Sequence, residues 1–339
     1  MKIGILCPSE IAIRRFMPAL VKSDYFEFSG IGVNSIEERF GKNIPANAND
    51  VIWNGVCKAI AFKEQYGGRL FSSYEEIVTA PDVDAIYIPS PPALHYRWAK
   101  AALENGKHVM VEKPATTVKV ETESLVATAR KKNLALHENY MFIFHRQLDA
   151  IDEIVKSGEI GDIRLYRISF GFPMRTKNDF RYNKELGGGA LIDAGGYTIR
   201  YATRLLGDTI KLDTAKLNYL PDFEVDMFGS ATLSNDKGMT VQVAFGMDND
   251  YKCELEVWGS KGTLTTGRVL TAPAGFTPEL RIKKNIDMET RSLPADDAFL
   301  NSIEHFKCCI EDNDIRESTY KSILKQAKLV EQFAAMINN

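Results

Sequence analysis

Three side chains in this sequence have the types that carbonyl chemistry needs. Lys113 follows the apolar run His108-Val109-Met110-Val111 by two residues, which puts an ammonium at the carboxyl end of a strand. Asp193 and Tyr197 stand four apart beyond Gly187-Gly188-Gly189, so on a helix they share one face. Reducing a ketone needs a hydride donor and an acid that protonates the oxygen as it becomes an alkoxide. Tyr197 is the candidate acid. Lys113 can stabilise developing negative charge and ease loss of the phenol proton. Asp193 can orient Lys113 or a substrate hydroxyl. Plainer roles are open to all three: Lys113 paired with Glu112 or Asp193, Asp193 as a cap, and Tyr197 as a half-buried helix residue.

The elements around them are legible from periodicity. Lys2–Leu6, Phe26–Val33, Ala85–Ile88 and His108–Val111 read as short buried strands, and Leu134–His137 as one more. Ile11–Val21, Tyr74–Ile77, Leu94–Leu103 and Val118–Arg130 read as the helices between them. Repeated units of this length predict an α/β fold whose first domain is a doubly wound parallel sheet of the Rossmann kind. Beyond about residue 141 the pattern changes. Ile163–Phe172, Ala215–Leu217, Met227–Leu233, Thr240–Phe245 and Cys253–Trp258 alternate with period two, around a helix at Ala190–Leu206. Helices near Asp297–Ile310 and Ser318–Met336 close the chain. The prediction is a dinucleotide-binding domain over 1–141. An α+β domain with a large, mostly antiparallel sheet follows over 142–339, for substrate and oligomer contacts. Residues 40–54 read as an inserted surface loop, with a flap over a nucleotide as the sharper alternative.

The turn after the first strand is where a dinucleotide fold sets its glycines, with pyrophosphate at the helix N-terminus. Here it reads Cys7-Pro8-Ser9-Glu10-Ile11-Ala12. Cys7 and Ser9 occupy the first two glycine positions and Ala12 the third. Pro8 removes one N–H, and Glu10 brings negative charge near the phosphates. Cys7, Ser9, Glu10 and Ile11 are the cofactor candidates of this turn. The second strand ends Gly32-Val33-Asn34-Ser35, without the acid that would hold an adenosine ribose. Asn34, Ser35 and Arg39 could donate to a 2′-phosphate. That favours NADP over NAD, while Glu37 and Glu38 oppose the choice.

Two further motifs are Tyr87-Ile88-Pro89-Ser90-Pro91-Pro92-Ala93-Leu94-His95 and Gly106-Lys107-His108-Val109-Met110-Val111-Glu112-Lys113-Pro114. With Leu186-Gly187-Gly188-Gly189-Ala190-Leu191-Ile192-Asp193-Ala194-Gly195-Gly196-Tyr197, the chain resembles the Gfo/Idh/MocA family of nicotinamide-dependent oxidoreductases. Glu138-Asn139-Tyr140-Met141-Phe142 and Gly158-Glu159-Ile160-Gly161-Asp162 extend the resemblance over nearly the whole chain. Arg14-Arg15, Pro18-Ala19-Leu20 and Phe180-Arg181-Tyr182 are similar to the Tyr-bearing branch of nucleotide-sugar ketoreductases, glucose-fructose oxidoreductase and dihydrodiol dehydrogenase. The resemblance implies Ser90, Pro91, His95, Glu112 and Lys113 at the cofactor and Asn139 at substrate or nicotinamide. It also implies a homo-oligomer, a dimer or tetramer, built on the open face of the second sheet. Arg175, Lys177 and Arg181 are the residues expected to bind a diphosphate.

Length and composition agree with this reading. The 339 residues suit two domains, and 42 basic against 45 acidic residues leave a net charge of -3. No nucleic-acid or membrane partner is expected from that balance. Five scattered cysteines read as reduced thiols of a cytoplasmic protein, and the amino terminus does not read as a secretory signal. No metal is assigned, since His145 and His305 show no partner at ligand spacing. The expected activity is hydride transfer between a nicotinamide and a carbonyl or hydroxyl of a sugar or nucleotide-linked sugar. A free aldose or cyclic diol is the alternative substrate. A non-catalytic binding protein with a degenerate phosphate turn is the alternative function.

Overall fold

The computed structural model describes residues 1–42 and 44–336. They form two compact units: Met1–Asn139 with Ser302–Leu324, and Tyr140–Asn301 with the described residues from Lys325 to 336. A single cut after residue 141 does not capture this, because residues 302–324 return to the first unit. There Phe306 stacks on Phe26 with ring centroids 5.6 Å apart, and the Tyr320 hydroxyl donates to the Leu134 carbonyl. Such distant partners leave no mark in local spacing.

In the first unit, β1 (Lys2–Ile5), β2 (Glu27–Gly32), β3 (Arg69–Phe71), β4 (Ala85–Ile88), β5 (His108–Glu112) and β6 (Leu136–Asn139) form one parallel sheet. The order is β3-β2-β1-β4-β5-β6. β4 is buried at every position, as a central parallel strand covered on both faces must be. The connecting helices are α1 (a π-turn at Ala12–Phe16 running into Met17–Leu20), α2 (Ile36–Phe40), α3 (Ala48–Tyr66), α4 (Tyr74–Thr79), α5 (His95–Glu104) and α6 (Lys119–Lys132). Phe16 of α1 stacks on Tyr87 of β4 at 3.7 Å. The strand order reverses between β1 and β4, so their carboxyl ends frame the crevice where such sheets take ligands.

The segment 40–54 is not a loop throughout. α3 begins at Ala48 and runs for 19 residues, while Asn43 lies outside the described residues. Only Ala48, Ala59 and Phe62 of this helix are buried, too few to print an apolar stripe on the sequence.

The second unit carries α7 (Gln147–Lys156) and α8 (Gly196–Leu206) against an eight-stranded sheet. Its strands are β7 (Ile163–Gly171), β8 (Lys211–Tyr219), β9 (Asp226–Ser234), β10 (Thr240–Gly246), β11 (Lys252–Gly259), β12 (Thr263–Gly267), β13 (Glu279–Lys284) and β14 (Asp287–Ser292). They lie in the order β14-β13-β12-β11-β7-β10-β9-β8, and β7 pairs with β10 in parallel while the other pairs are antiparallel. Alternation sorts the two faces. Leu255, Ile168, Val243 and Ala231 are paired across four strands and buried. In the next row Arg167 reaches Glu256 at 2.9 Å and Gln242 at 3.1 Å on the open face. The last helices are α9 (Ala298–Glu311) and α10 (Asn313–Ala335). Among the described residues no helix is long and apolar enough to cross a membrane.

Candidate active site

The turn after β1 spends its polar groups on starting α1. Ser9 Oγ accepts from the Ala12 N–H at 3.2 Å and the Ser9 carbonyl accepts from Ile13 at 3.1 Å, so Ser9 is the helix cap. Glu10 is exposed and pairs with Arg14 at 3.2 Å, one turn along the helix. Its charge is therefore drawn away from the turn rather than set against a phosphate. Cys7 is half-buried beside Tyr74, and burial pushes its thiol pKa up, as for a small apolar residue. Ile11 is half-buried in the first helical turn.

One of the two acids beyond β2, Glu38, is handled in the same way. Ser35 and Glu38 form a reciprocal capping box on α2: Glu38 N–H to Ser35 Oγ at 3.2 Å, Ser35 N–H to the Glu38 carboxylate at 2.7 Å. The same carboxylate accepts from the N–H groups of Tyr74 and Glu75 at 3.0 and 2.9 Å, serving the first turn of α4 as well. Glu38 is thus occupied by backbone amides, and Ser35 is a cap first. Asn34 is half-buried and Arg39 exposed. The positive charges of Arg39 and of Lys58, on α3, both act on Cys7. Lys58 was not singled out by sequence, since the helix carrying it was not recognised.

At the ends of β4 and β5, His95 is wholly buried, with Nδ1 2.7 Å from the Pro114 carbonyl and Nε2 2.8 Å from the Ser90 carbonyl. Burial lowers its pKa to about 4 against the opposing pull of the two carbonyls, and the neutral ring donates to one of them at a time. His95 is therefore a strut between the Ser90–Pro91 loop and the Lys113–Pro114 loop. Ser90 Oγ is buried with no hydrogen-bond partner among the described residues, at the tip of the strand that frames the crevice with β1. Lys113 is half-buried at the end of β5.

Glu112 is the terminus of a buried chain. Tyr87 Oη and Asn139 Nδ2 each donate to its Oε1 at 2.6 Å. The Ser302 hydroxyl donates to Asn139 Oδ1 at 2.8 Å, and His137 Nε2 lies 2.9 Å from Ser302 Oγ. Because the Ser302 proton goes to Asn139, the His137 nitrogen must be the donor. Every hydrogen in this chain therefore points towards Glu112. Burial raises the Glu112 pKa, and the bonds from Tyr87 and Asn139 with the Lys113 charge oppose the rise. Asn139 is fully buried with both ends of its amide engaged. Its amide holds Glu112 from within the unit. Ser302 and His137 were missed because one is 163 residues from Asn139 and the other carries no motif.

In the second unit, Asp193 lies in a π-turn, Leu191–Gly195, that leads directly into α8 with Tyr197. Asp226, from the start of β9, accepts from the Leu191 N–H at 2.6 Å and so caps this helix from another strand. A Cβ on Gly188 would stand 2.3 Å from the Arg181 carbonyl oxygen, which is why the approach needs glycine. Arg181 pairs with Asp193 at 2.6 Å and Asp179 at 3.1 Å, and its guanidinium lies over the Phe180 ring. Two carboxylates thus fix Arg181, so it serves first to hold Asp193 rather than as a loose diphosphate clamp. Arg175 is exposed with its guanidinium over Phe172. Tyr197 is nearly buried, and Tyr140, Phe142 and Phe170 surround its ring with centroids 5.4, 5.6 and 5.3 Å away.

Residues 31–140 match the oxidoreductase family with an NAD-binding Rossmann fold, and residues 148–265 match the GFO/IDH/MocA C-terminal domain. A dTDP-3,4-didehydro-2,6-dideoxy-alpha-D-glucose 3-reductase of Streptomyces violaceoruber is 35% identical over 98% of this chain and 94% of its own length. The chain belongs to the GFO/IDH/MocA oxidoreductase family. Within that family, a 3-ketoreductase from Actinomadura kijaniata, solved in complex with NADP and TDP-benzene, superposes with a TM-score of 0.89. It is 34% identical, and the match covers 99% of this chain and 98% of that one. Variants of that GFO/IDH/MocA protein with a substituted tyrosine or a substituted lysine have been solved with the same two ligands. An aldose-aldose oxidoreductase from Caulobacter crescentus, 22% identical with a TM-score of 0.82 over 100% of this chain and 97% of that one, shares the fold.

Proposed function

We propose that this protein is an NADP-dependent ketoreductase acting on a nucleotide-linked keto sugar, with a dTDP-3-keto sugar as the substrate class. One observation carries the cofactor half of this reading. Glu38, one of the two acids that follow β2, is turned onto three backbone N–H groups, which leaves Asn34, Arg39 and Lys58 to meet a 2′-phosphate. The buried Ser90 hydroxyl at the crevice fits a ligand that brings a hydrogen-bonding group to it. When bound, the nicotinamide supplies the hydride. The chain's own residues hold and move the proton. Tyr197, walled by aromatic rings, gives its phenol proton to the ketone oxygen. Lys113 stabilises negative charge as it develops, and Asp193, fixed by Arg181, orients the reacting hydroxyl. The exposed cations Arg175 and Lys177 favour a diphosphate-bearing sugar over a free aldose. The relatives' names support carbon 3 as the reacting position, and the lysine and tyrosine replaced in the solved variants are the same types as Lys113 and Tyr197.

We further infer a cytoplasmic homo-oligomer, a dimer or tetramer, joined through the open sheet face where Phe228 and Trp258 are exposed. Light scattering reads its size directly. The activity is tested by following NADPH consumption with a dTDP-3-keto sugar, and with NADH and free aldoses in parallel. Turnover that requires both NADPH and the nucleotide, and that falls about 100-fold or more in Tyr197→Phe and Lys113→Ala, supports the assignment. Failure to bind either nicotinamide, or equal turnover of free aldoses, refutes it.

A further inference from the structure

We propose that His137, His305 and Cys309 form a binding site for a zinc-class divalent cation in the first unit. The ligating atoms of the three side chains lie within 4.8 Å of one another. His305 and Cys309 stand four apart on α9 and so share a face, and His137 comes from β6. Their ring and thiol chemistry, nitrogen, nitrogen and sulfur, is that of a borderline-soft cation.

The tautomers of both imidazoles follow from where two hydroxyl protons go. Ser302 gives its proton to Asn139 Oδ1 at 2.8 Å, so its oxygen takes one from His137 Nε2 at 2.9 Å. Thr319 gives its proton to the Ile315 carbonyl at 2.9 Å, so its oxygen takes one from His305 Nε2 at 3.2 Å. The Cys309 thiol is 3.2 Å from that same Thr319 oxygen. Each imidazole is therefore an Nε2–H tautomer whose lone pair is at Nδ1. A metal-ligating histidine characteristically has this arrangement, one nitrogen fixed by a neighbouring acceptor and the other offered to the ion. Ser302 and Thr319 supply the two acceptors.

The geometry needs little adjustment. Zinc bonds of about 2.0–2.3 Å at tetrahedral angles separate ligand atoms by roughly 3.5 Å, so a closure on the order of 1 Å suffices. His137 and Cys309 are buried, whereas His305 is half-buried and gives a route inward. Binding balances simply. The hydrated ion sheds all but one of its waters, bonds form to the two imidazole nitrogens, the Cys309 S–H bond breaks, its proton goes to buffer, and a metal–sulfur bond forms. A water retained by the ion completes four-coordination.

Cobalt(II) in place of zinc tests this on the whole protein, stripped of metal by chelator dialysis and assayed without substrate. One equivalent should give a thiolate-to-cobalt charge-transfer band and tetrahedral visible bands, both displaced by zinc. The charge-transfer band should vanish in Cys309→Ser, persist in Cys308→Ser, and require at least about 100-fold more cobalt in His305→Ala. Circular dichroism checks that each variant is folded. Should Cys309→Ser not fold, His305→Asn, at a half-buried position, decides by the same titration. No cobalt bands in the unsubstituted protein, or bands that move with Cys308 rather than Cys309, overturn the proposal and leave these side chains as internal polar contacts.

Discussion

Replacing Ser302 with alanine removes one oxygen and should cost far more than its size suggests. The hydroxyl is fully buried and makes two bonds, donating to Asn139 Oδ1 at 2.8 Å and accepting from His137 Nε2 at 2.9 Å. Alanine leaves a buried carbonyl and a buried N–H without those partners. Each such group costs about 1–3 kcal/mol, so the expected loss is about 2–5 kcal/mol, a large share of a typical total stability of roughly 5–15 kcal/mol. Urea unfolding followed by circular dichroism reads the loss as a lower midpoint at unchanged slope. Ser302→Thr keeps the hydroxyl and should recover part of it. The chain also polarises the Asn139 amide towards Glu112, so the alanine variant should raise the Glu112 pKa further. A shift of the pH profile of NADPH binding towards higher pH would report that change. A loss below about 0.5 kcal/mol with an unmoved profile would refute the direction of the chain, and with it the His137 tautomer.

Other outcomes follow from the same contacts. His108 accepts the Ala135 N–H at 2.9 Å through Nδ1, and burial, with repulsion from Arg316, lowers its pKa from 6.5 to about 4. Its contribution is fully present above pH 6.5 and is lost as pH falls from there towards 4, up to about 3 kcal/mol. In His108→Asn, which keeps an acceptor but does not titrate, the stability–pH curve should be flatter across that window. Gly188→Ala, with its Cβ 2.3 Å from the Arg181 carbonyl oxygen, should destabilise by about 1–3 kcal/mol and loosen Asp193 from Arg181, seen as lost melting temperature together with lost turnover. Arg39→Ala and Lys58→Ala should each weaken NADPH binding by about fivefold to tenfold in calorimetry while leaving NADH affinity unchanged.

Local pattern made much of this molecule legible. Strands β1, β4 and β5 announce themselves as short apolar runs, and β7, β9, β10 and β11 as alternation, because a strand's burial is written in consecutive residues. Asp193 and Tyr197 are legible for the same reason, being four apart on one helix. What was not legible depends on distant partners. Nothing near Glu38 says that its carboxylate is taken up by Tyr74 and Glu75, and nothing near Asn139 says that Ser302 will reach it. Arg181 and Asp193 were both singled out, yet their pairing appears only when the loop at residues 172–190 is folded. α3 was lost for another reason. Its buried side is three small or widely spaced residues, so its sequence looks like solvated chain.

The parallel pairing of β7 with β10 at the centre of the second sheet bears on how the protein is made. β7 leaves the ribosome early, but its two neighbours are β10 and β11, and its partner Gln242 lies 75 residues beyond Arg167. No hairpin can form this pair, so the sheet cannot zip up from one end as the chain emerges. A nascent chain must hold β7 with both edges unpaired until Gly246 is synthesised, and with one edge unpaired until Gly259 is. Arg164 and Arg167, projecting from that strand, are the charges that keep two such chains from joining edge to edge while they wait.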